Sequence, residues 1–297
     1  KGWLNIKNKC SEVFMVQEGN IKYHVDIADS LITQGEYRAA LTMLLIAVAA
    51  SSSKMFPEGT ESIDNPAVKP GKFNKMGDKE KFVRFLGPRI RIMLGFASTQ
   101  DDGRHSGLPH LLSSAPDPEV FIYERCRCPQ IHEAGLPETV KFMPHLTESI
   151  EGISIELDGR DGITFSSGFL TLLRRAVVES PVNGKEFGIH HFRASFDGYS
   201  DTNDFAMNNH EALGITPGRI NIICSIAQDI KGAHTNISNE ELELVLIKTI
   251  KQHKEDATFT LNSMGEPILT QSGELSKTGK ACISLIMKNV DFIDIAS

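Results

Sequence analysis

The chain has 297 residues, 40% of them hydrophobic and 23% charged, with a formal net charge of −7. Such a composition buries a core without disulfides or structural metals, and it excludes a wholly disordered chain. Net acidity also argues against a protein that coats nucleic acid without sequence preference, because counterion release needs clustered Lys and Arg. No apolar run reaches the roughly 18–20 residues of a membrane span, the longest being Ala39–Ala50. Lys1-Gly2-Trp3 has no apolar segment behind it, so secretion is not expected. The cysteines Cys10, Cys126, Cys128, Cys224 and Cys282 are odd in number and scattered. That usage fits a reducing cytoplasm.

From Ile21 to about Phe56 the apolar residues recur at helical spacing, with Gly35 dividing the run. The second half is apolar nearly all round, which marks a helix inside a bundle. A loop follows to Gly71, and Asp78 stands as N-cap before Phe82, Phe85 and Leu86, with Gly87-Pro88 expected to interrupt. In Lys72–Arg91 seven bases face only Asp78 and Glu80, a candidate phosphate-tracking face. Residues 99–109 read as loop, where Arg104-His105 and Pro109-His110 are loop histidine pairs. Asp117-Pro118-Glu119 starts another helix. It runs through Tyr123-Glu124-Arg125-Cys126-Arg127-Cys128-Pro129-Gln130-Ile131-His132-Glu133, and Pro129 predicts a kink near Arg125.

Ile153–Leu157 and Ile163–Phe165 flank Asp158-Gly159-Arg160-Asp161-Gly162, the chemistry of a hairpin. A helix over about Ser167–Val178 then closes a helical domain, residues 1–184, and residues 185–297 are expected to form an accessory α+β domain. There Phe187–Phe196, Ile220–Ile226, Thr258–Leu261 and Ala281–Met287 read as strands, and Asn239–Lys251 as a helix capped by Asn239. The expected fold class is therefore α+β.

Arg127 and His132 carry the most specific chemistry. A guanidinium neutralises charge on a pentavalent phosphorus, and an imidazole shuttles a proton to or from a ribose 2′-oxygen or a leaving 5′-oxygen. RNA supplies its own nucleophile, so neither metal nor cofactor is called for. In an ideal helix the five-residue interval leaves the two about 140° apart, and the kink that Pro129 causes near Arg125 is the device expected to bring them together. The Cys126-x-Cys128 spacing is too short for a zinc knuckle. His190-His191-Phe192-Arg193, followed by Asp197, Asp201, Asp204 and His210, is a weaker candidate for metal or RNA. P-loop, dinucleotide-fold and nucleophile-elbow motifs do not occur in the sequence.

On Gly35-Glu36-Tyr37-Arg38-Ala39-Ala40-Leu41, the basic helix Lys79–Leu86 and Arg127-x4-His132 followed by Glu133, residues 20–180 resemble the HEPN superfamily (higher eukaryotes and prokaryotes nucleotide-binding). The resemblance implies a four- or five-helix bundle that homodimerises, and a metal-independent endoribonuclease of defence or toxin type. Its implied catalytic groups are Arg127, which stabilises the phosphate, and His132, which transfers the proton. Lys79, Lys81, Arg84, Arg125 and Glu133 would contact RNA. Cys128 and Pro129 depart from the polar residue that active members often carry after the arginine. A catalytically silent protein that binds RNA, a nucleotide or a partner chain is the alternative.

Overall fold

The computed structural model describes residues 20–66, 74–94, 116–132, 135–143, 155–158, 162–253, 257–260 and 266–297. Asn20 caps helix α1 (Ile21–Thr33) by accepting from the Tyr23 amide at 3.2 Å. Gly35, at φ 78°, supplies the left-handed residue that turns the chain into α2 (Tyr37–Met55). Ala40, Leu41, Leu44, Leu45, Ala47 and Val48 are all buried, so α2 is the central helix of the first core. Arg38 near its start donates to the carbonyls of Leu136 (2.7 Å), Pro137 (3.1 Å) and Val140. Those bonds fasten the strand β1 (Val140–Phe142) to the helix.

Helix α3 (Asp78–Met93) continues through Gly87-Pro88, contrary to the expected interruption. Pro88 costs one backbone donor, but Gly87 lets a carboxylate approach: a Cβ there would lie 2.7 Å from Glu119 Oε1. Glu119 in turn accepts from Arg91 Nη1 at 2.8 Å, and Asp117 Oδ2 lies 3.2 Å from Arg91 Nη2. Arg91, 1% exposed, therefore joins α3 to the start of α4 (Pro118–Ile122) as a buried ion cluster. A five-residue π-turn, Tyr123–Arg127, leads from α4 into α5 (Cys128–His132).

The expected hairpin strands are β2 (Ile155–Asp158) and β3 (Gly162–Phe165), antiparallel; their turn, residues 159–161, lies outside the described residues. Sequence reading missed β1, which pairs parallel with β3 in the order β1-β3-β2. Helix α6 (Ser167–Val178) completes this half, packing Phe169, Leu170, Leu173 and Val177 on α2 and α3.

A 3₁₀ turn at Pro181–Asn183 and a single turn, α7 (Gly184–Phe187), lead to β4 (Phe192–Phe196), which pairs antiparallel with β5 (Val290–Asp294). Between those strands lie α8 (Thr202–Leu213), α9 (Pro217–Ala233), α10 (Asn239–Gln252), α11 (Ala257–Thr260) and α12 (Lys277–Asn289). Three expected strands are corrected here. Ile220–Ile226 lies in α9, because Thr216-Pro217 starts a helix and Ile220, Ile223, Cys224 and Ala227 share a buried face at spacings of three and four. Ala281–Met287 lies in α12, where Ser276 accepts from the Gly279 amide at 2.8 Å and Gly279, Cys282, Ile283, Ile286 and Met287 are buried with the same period. Thr258–Thr260 lies in α11, and Leu261 is outside the described residues. The cap of α10 is Ser238 rather than Asn239, in a reciprocal capping box with Glu241.

The fold is α+β, with buried residues in two hydrophobic clusters. The first draws on residues from Ile21 to Val177, and the second on residues from Ala194 to Val290. Among the described residues no helix is long and apolar enough to cross a membrane.

Candidate functional site

At the arginine–histidine segment the backbone is distorted around Arg125, as expected, but as a π-turn that ends before the interval between the pair. The Cys128 amide reaches back five residues to the Tyr123 carbonyl, inserting a residue ahead of Pro129, which has no amide hydrogen. The π-turn ends at Arg127, so the interval to His132 keeps an α-helical rotation of about 140°. Arg127 is half-buried; the side chain of His132, and Glu133 entirely, are outside the described residues. Cys126 just before the pair is fully buried, its thiol pushed up to about 12 by desolvation, and is no nucleophile.

The basic run beside this segment is largely committed to acids. Lys79 Nζ meets Glu124 Oε1 at 2.6 Å. Arg84, its side chain 11% exposed, pairs with Asp64 and with Glu80. Glu80 also accepts from the amides of Ile63 and Asp64 and from the Ser62 hydroxyl. Burial raises the Glu80 carboxyl, and these donors together with Arg84 outweigh it and hold the group below its ordinary value. Lys81 and Arg125 are half-buried. Lys72 and the loop pairs Arg104-His105 and Pro109-His110 lie outside the described residues.

The second candidate segment divides. Asp201 caps α8 by accepting from the Asp204 amide, Asp204 accepts from Ser200, and His210 Nδ1 lies 2.8 Å from the Met207 carbonyl. Those groups stabilise a helix and its entry. Among the described residues no three His, Cys, Asp or Glu side chains are grouped to hold a metal ion.

His190, His191, Phe192 and Arg193 instead line a cavity of about 760 Å³ whose other walls come from α2, α3, the 3₁₀ turn, α9 and the residues after β5. The first half of the chain contributes Lys54 at the end of α2 and Arg89 on α3, and the second contributes Asp229 on α9. Three pieces of packing shape it. Asn183 donates to Ser51 Oγ (2.8 Å) and to the Val177 carbonyl (2.9 Å), seating the 3₁₀ turn on α2 and α6. Gly184 has no room for a Cβ, which would fall 2.5 Å from the Ile189 carbonyl oxygen and 3.0 Å from His191 Cδ2. The Ile295 amide donates to the His191 carbonyl at 2.7 Å, and the Ser297 amide to that of Pro181 at 3.0 Å.

The charges on this cavity are mostly positive. Lys54, Arg89 and Arg193 are cations, while the Asp294 carboxylate beside them is occupied by His190, whose Nδ1 lies 2.7 Å from Oδ2. That contact and the Ala296 amide hold Asp294 below the ordinary carboxylate value. Asp229 keeps contact with solvent, yet crowding by the walls desolvates its carboxyl and pushes it up. His191 is shifted down, first by desolvation and then by the Arg89 charge. In two lining residues one polar atom each, Ser180 Oγ and His191 Nε2, is buried behind the cavity surface with no hydrogen-bond partner, an arrangement that costs free energy. Sequence reading singled out His190–Arg193 and included Arg89 in the basic run. It missed Lys54, Ser180 and Asp229, which carry no local motif and become neighbours only through the fold.

The family model Rv1289 matches residues 20–209, from the cap of α1 into α8 and across Lys54, Arg89, Ser180 and His190–Arg193. No curated protein and no solved structure matches the chain.

Proposed function

The chain belongs to the Rv1289 family, and we propose that this member binds a small phosphate-bearing ligand of the nucleotide class in the cavity lined by His190–Arg193. One observation carries the reading. In a chain of net charge −7, Lys54, Arg89 and Arg193 converge on a single cavity. A volume of about 760 Å³ falls within the roughly 300–1,000 Å³ of small-molecule sites. Phe192 lines the cavity beside the cations, its ring stacked on His190 with centroids 6.3 Å apart and Lys231 Nζ 5.8 Å from its centroid.

Calorimetric titration with inorganic phosphate and with a nucleoside 5′-monophosphate tests the reading. Lys54→Met and Arg193→Met, both at exposed cations, should each weaken binding about tenfold, since a hydrogen bond to a charged group contributes about 1.5–3 kcal/mol. No heat and no thermal shift with any phosphate compound would reject it.

The π-turn favours a second reading, because such insertions in helices recur at functional sites. In it Arg127 and His132 cleave RNA without metal, as the HEPN resemblance implies, in a homodimer in which each chain supplies half of the cleft. Gel-resolved cleavage of labelled RNA in EDTA, compared among wild type, Arg127→Ala and His132→Ala, tests it. Losses of about 10²–10⁴ in rate are expected. Equal cleavage by all three places the chemistry elsewhere.

A further inference from the structure

His190 differs from the cations around it in having one ring nitrogen committed and the other not. Its Nδ1 lies 2.7 Å from Asp294 Oδ2, while Asp294 Oδ1 accepts from the Ala296 amide at 3.0 Å. Those contacts hold Asp294 below the ordinary carboxylate value, so at neutral pH it is ionised and can only accept. The neutral imidazole therefore keeps its proton on Nδ1 and has a bare lone pair at Nε2. The side chain lines the cavity and is 54% exposed in spite of the Asp294 contact, which leaves Nε2 as the ring nitrogen available to a ligand. Helix α9 passes beside it: a Cβ on Gly232 would lie 3.3 Å from the His190 carbonyl oxygen, and Asp229, about one turn earlier, lines the same cavity. Asp229 makes no hydrogen bond or ion pair among the described residues, and its desolvation favours the protonated form. Arg193 is likewise without a partner among the described residues, and Lys54 Nζ spends one of its three hydrogens on the Ser297 carbonyl at 2.9 Å.

We propose that the cavity hydrolyses phosphomonoesters, with His190 Nε2 as the nucleophile, Asp229 as the acid for the leaving alcohol and Asp294 as the positioning residue. The inference rests on the phosphate-binding reading above and adds a reaction to it. The Nε2 lone pair attacks phosphorus opposite the ester oxygen: a P–N bond forms, the P–O bond breaks, and the departing oxygen takes the Asp229 proton. Lys54 and Arg193 answer the charge of the phosphoryl oxygens. The Nδ1 proton stays on the ring, and the Asp294 carboxylate balances the positive charge of the phosphorylated imidazole. Asp229, now a carboxylate, next takes a proton from a water whose oxygen attacks phosphorus; the P–N bond breaks and its electron pair returns to Nε2. One water is consumed, an alcohol and inorganic phosphate are released, and nothing is oxidised or reduced.

The probes are p-nitrophenyl phosphate and a radiolabelled nucleoside 5′-monophosphate, incubated with the full chain in EDTA. Both should release inorganic phosphate. Quenching the nucleotide reaction into base during turnover should leave base-stable, acid-labile label on the peptide that contains His190, a measurement needing no variant. His190→Gln, its fold checked by circular dichroism, should lose the label and about 10⁴ or more in rate, as removal of a nucleophile does. Asp294→Asn should lower kcat about 10²–10⁴-fold with KM nearly unchanged, because an amide lets the ring adopt the wrong tautomer. In single-turnover measurements Asp229→Asn should slow cleavage of the nucleotide about 10²-fold or more and that of the nitrophenyl ester far less, since nitrophenolate departs without a proton. No phosphate release, no label on His190, full activity in His190→Gln, unchanged kcat in Asp294→Asn or equal slowing of both esters by Asp229→Asn, with phosphate still bound by the wild type in calorimetry, overturns this inference and leaves the binding site standing. Failure of inorganic phosphate and both esters to bind overturns the site as well.

Discussion

At the residue scale the buried titratable groups divide into those paired inside the fold and those whose charged form burial disfavours. Arg91 belongs to the first group, since Gly87, Asp117 and Glu119 satisfy it inside the first core. Burial raises the Glu119 carboxyl, and Arg91 opposes that shift. Arg91→Met should therefore cost about 3–5 kcal/mol, the usual consequence of leaving a buried ion without its counter-charge. The fall in urea midpoint measures it. His191 belongs to the second group, and its depressed proton affinity has a signed consequence in the free protein. The unfolded chain accepts a proton near pH 6.5, while the folded chain resists it. Stability should then decline as pH drops through that value, and His191→Gln should decline less between about pH 7.5 and about pH 5.5. Urea unfolding at the two pH values, followed by circular dichroism, compares them.

Among the elements, legibility tracked local signals. Helices α1, α2, α6 and α10 announce themselves through apolar residues at helical spacing, and β2 and β3 through apolar runs around a glycine-rich turn. Helices α9 and α12 misled because Ile220-Asn221-Ile222-Ile223 and Ile283-Ser284-Leu285-Ile286 are rich in residues that favour strands. Their starts at Thr216-Pro217 and Ser276, with buried spacings of three and four, proved the stronger signals. β1 is three residues long, and its place depends on Arg38, a contact no local window contains. The cavity was half legible for the same reason: His190–Arg193 are consecutive, whereas Lys54, Arg89 and Asp229 arrive from three helices. Helix α12 also supplies a sharp test of packing. A Cβ on Gly279 would sit 2.3 Å from the Ile268 carbonyl oxygen, so Gly279→Ala should destabilise by about 1–3 kcal/mol despite its better helix propensity. A stabilised variant, seen as a higher Tm, would contradict this packing.

For the whole molecule, two hydrophobic clusters imply two units of local stability. Leu44→Ala, in the first cluster, should cost about 2–5 kcal/mol and speed amide exchange in α2, α3 and α6. Exchange in α9 and α12 should change little; an equal acceleration throughout would mean that the two clusters open together. The pairing of β4 with β5 acts on a different axis, that of time. Roughly ninety residues separate the two strands, so their ladder closes one of the longest loops in the fold and forms late. The His190–Asp294 contact and the Ile295 bond to His191 depend on that closure. A chain still emerging from the ribosome, with β4 out and β5 not yet made, already holds the helices that carry Lys54 and Arg89 but has no finished pocket. The cavity is thereby completed in one of the last steps of folding, after the first core has formed without it.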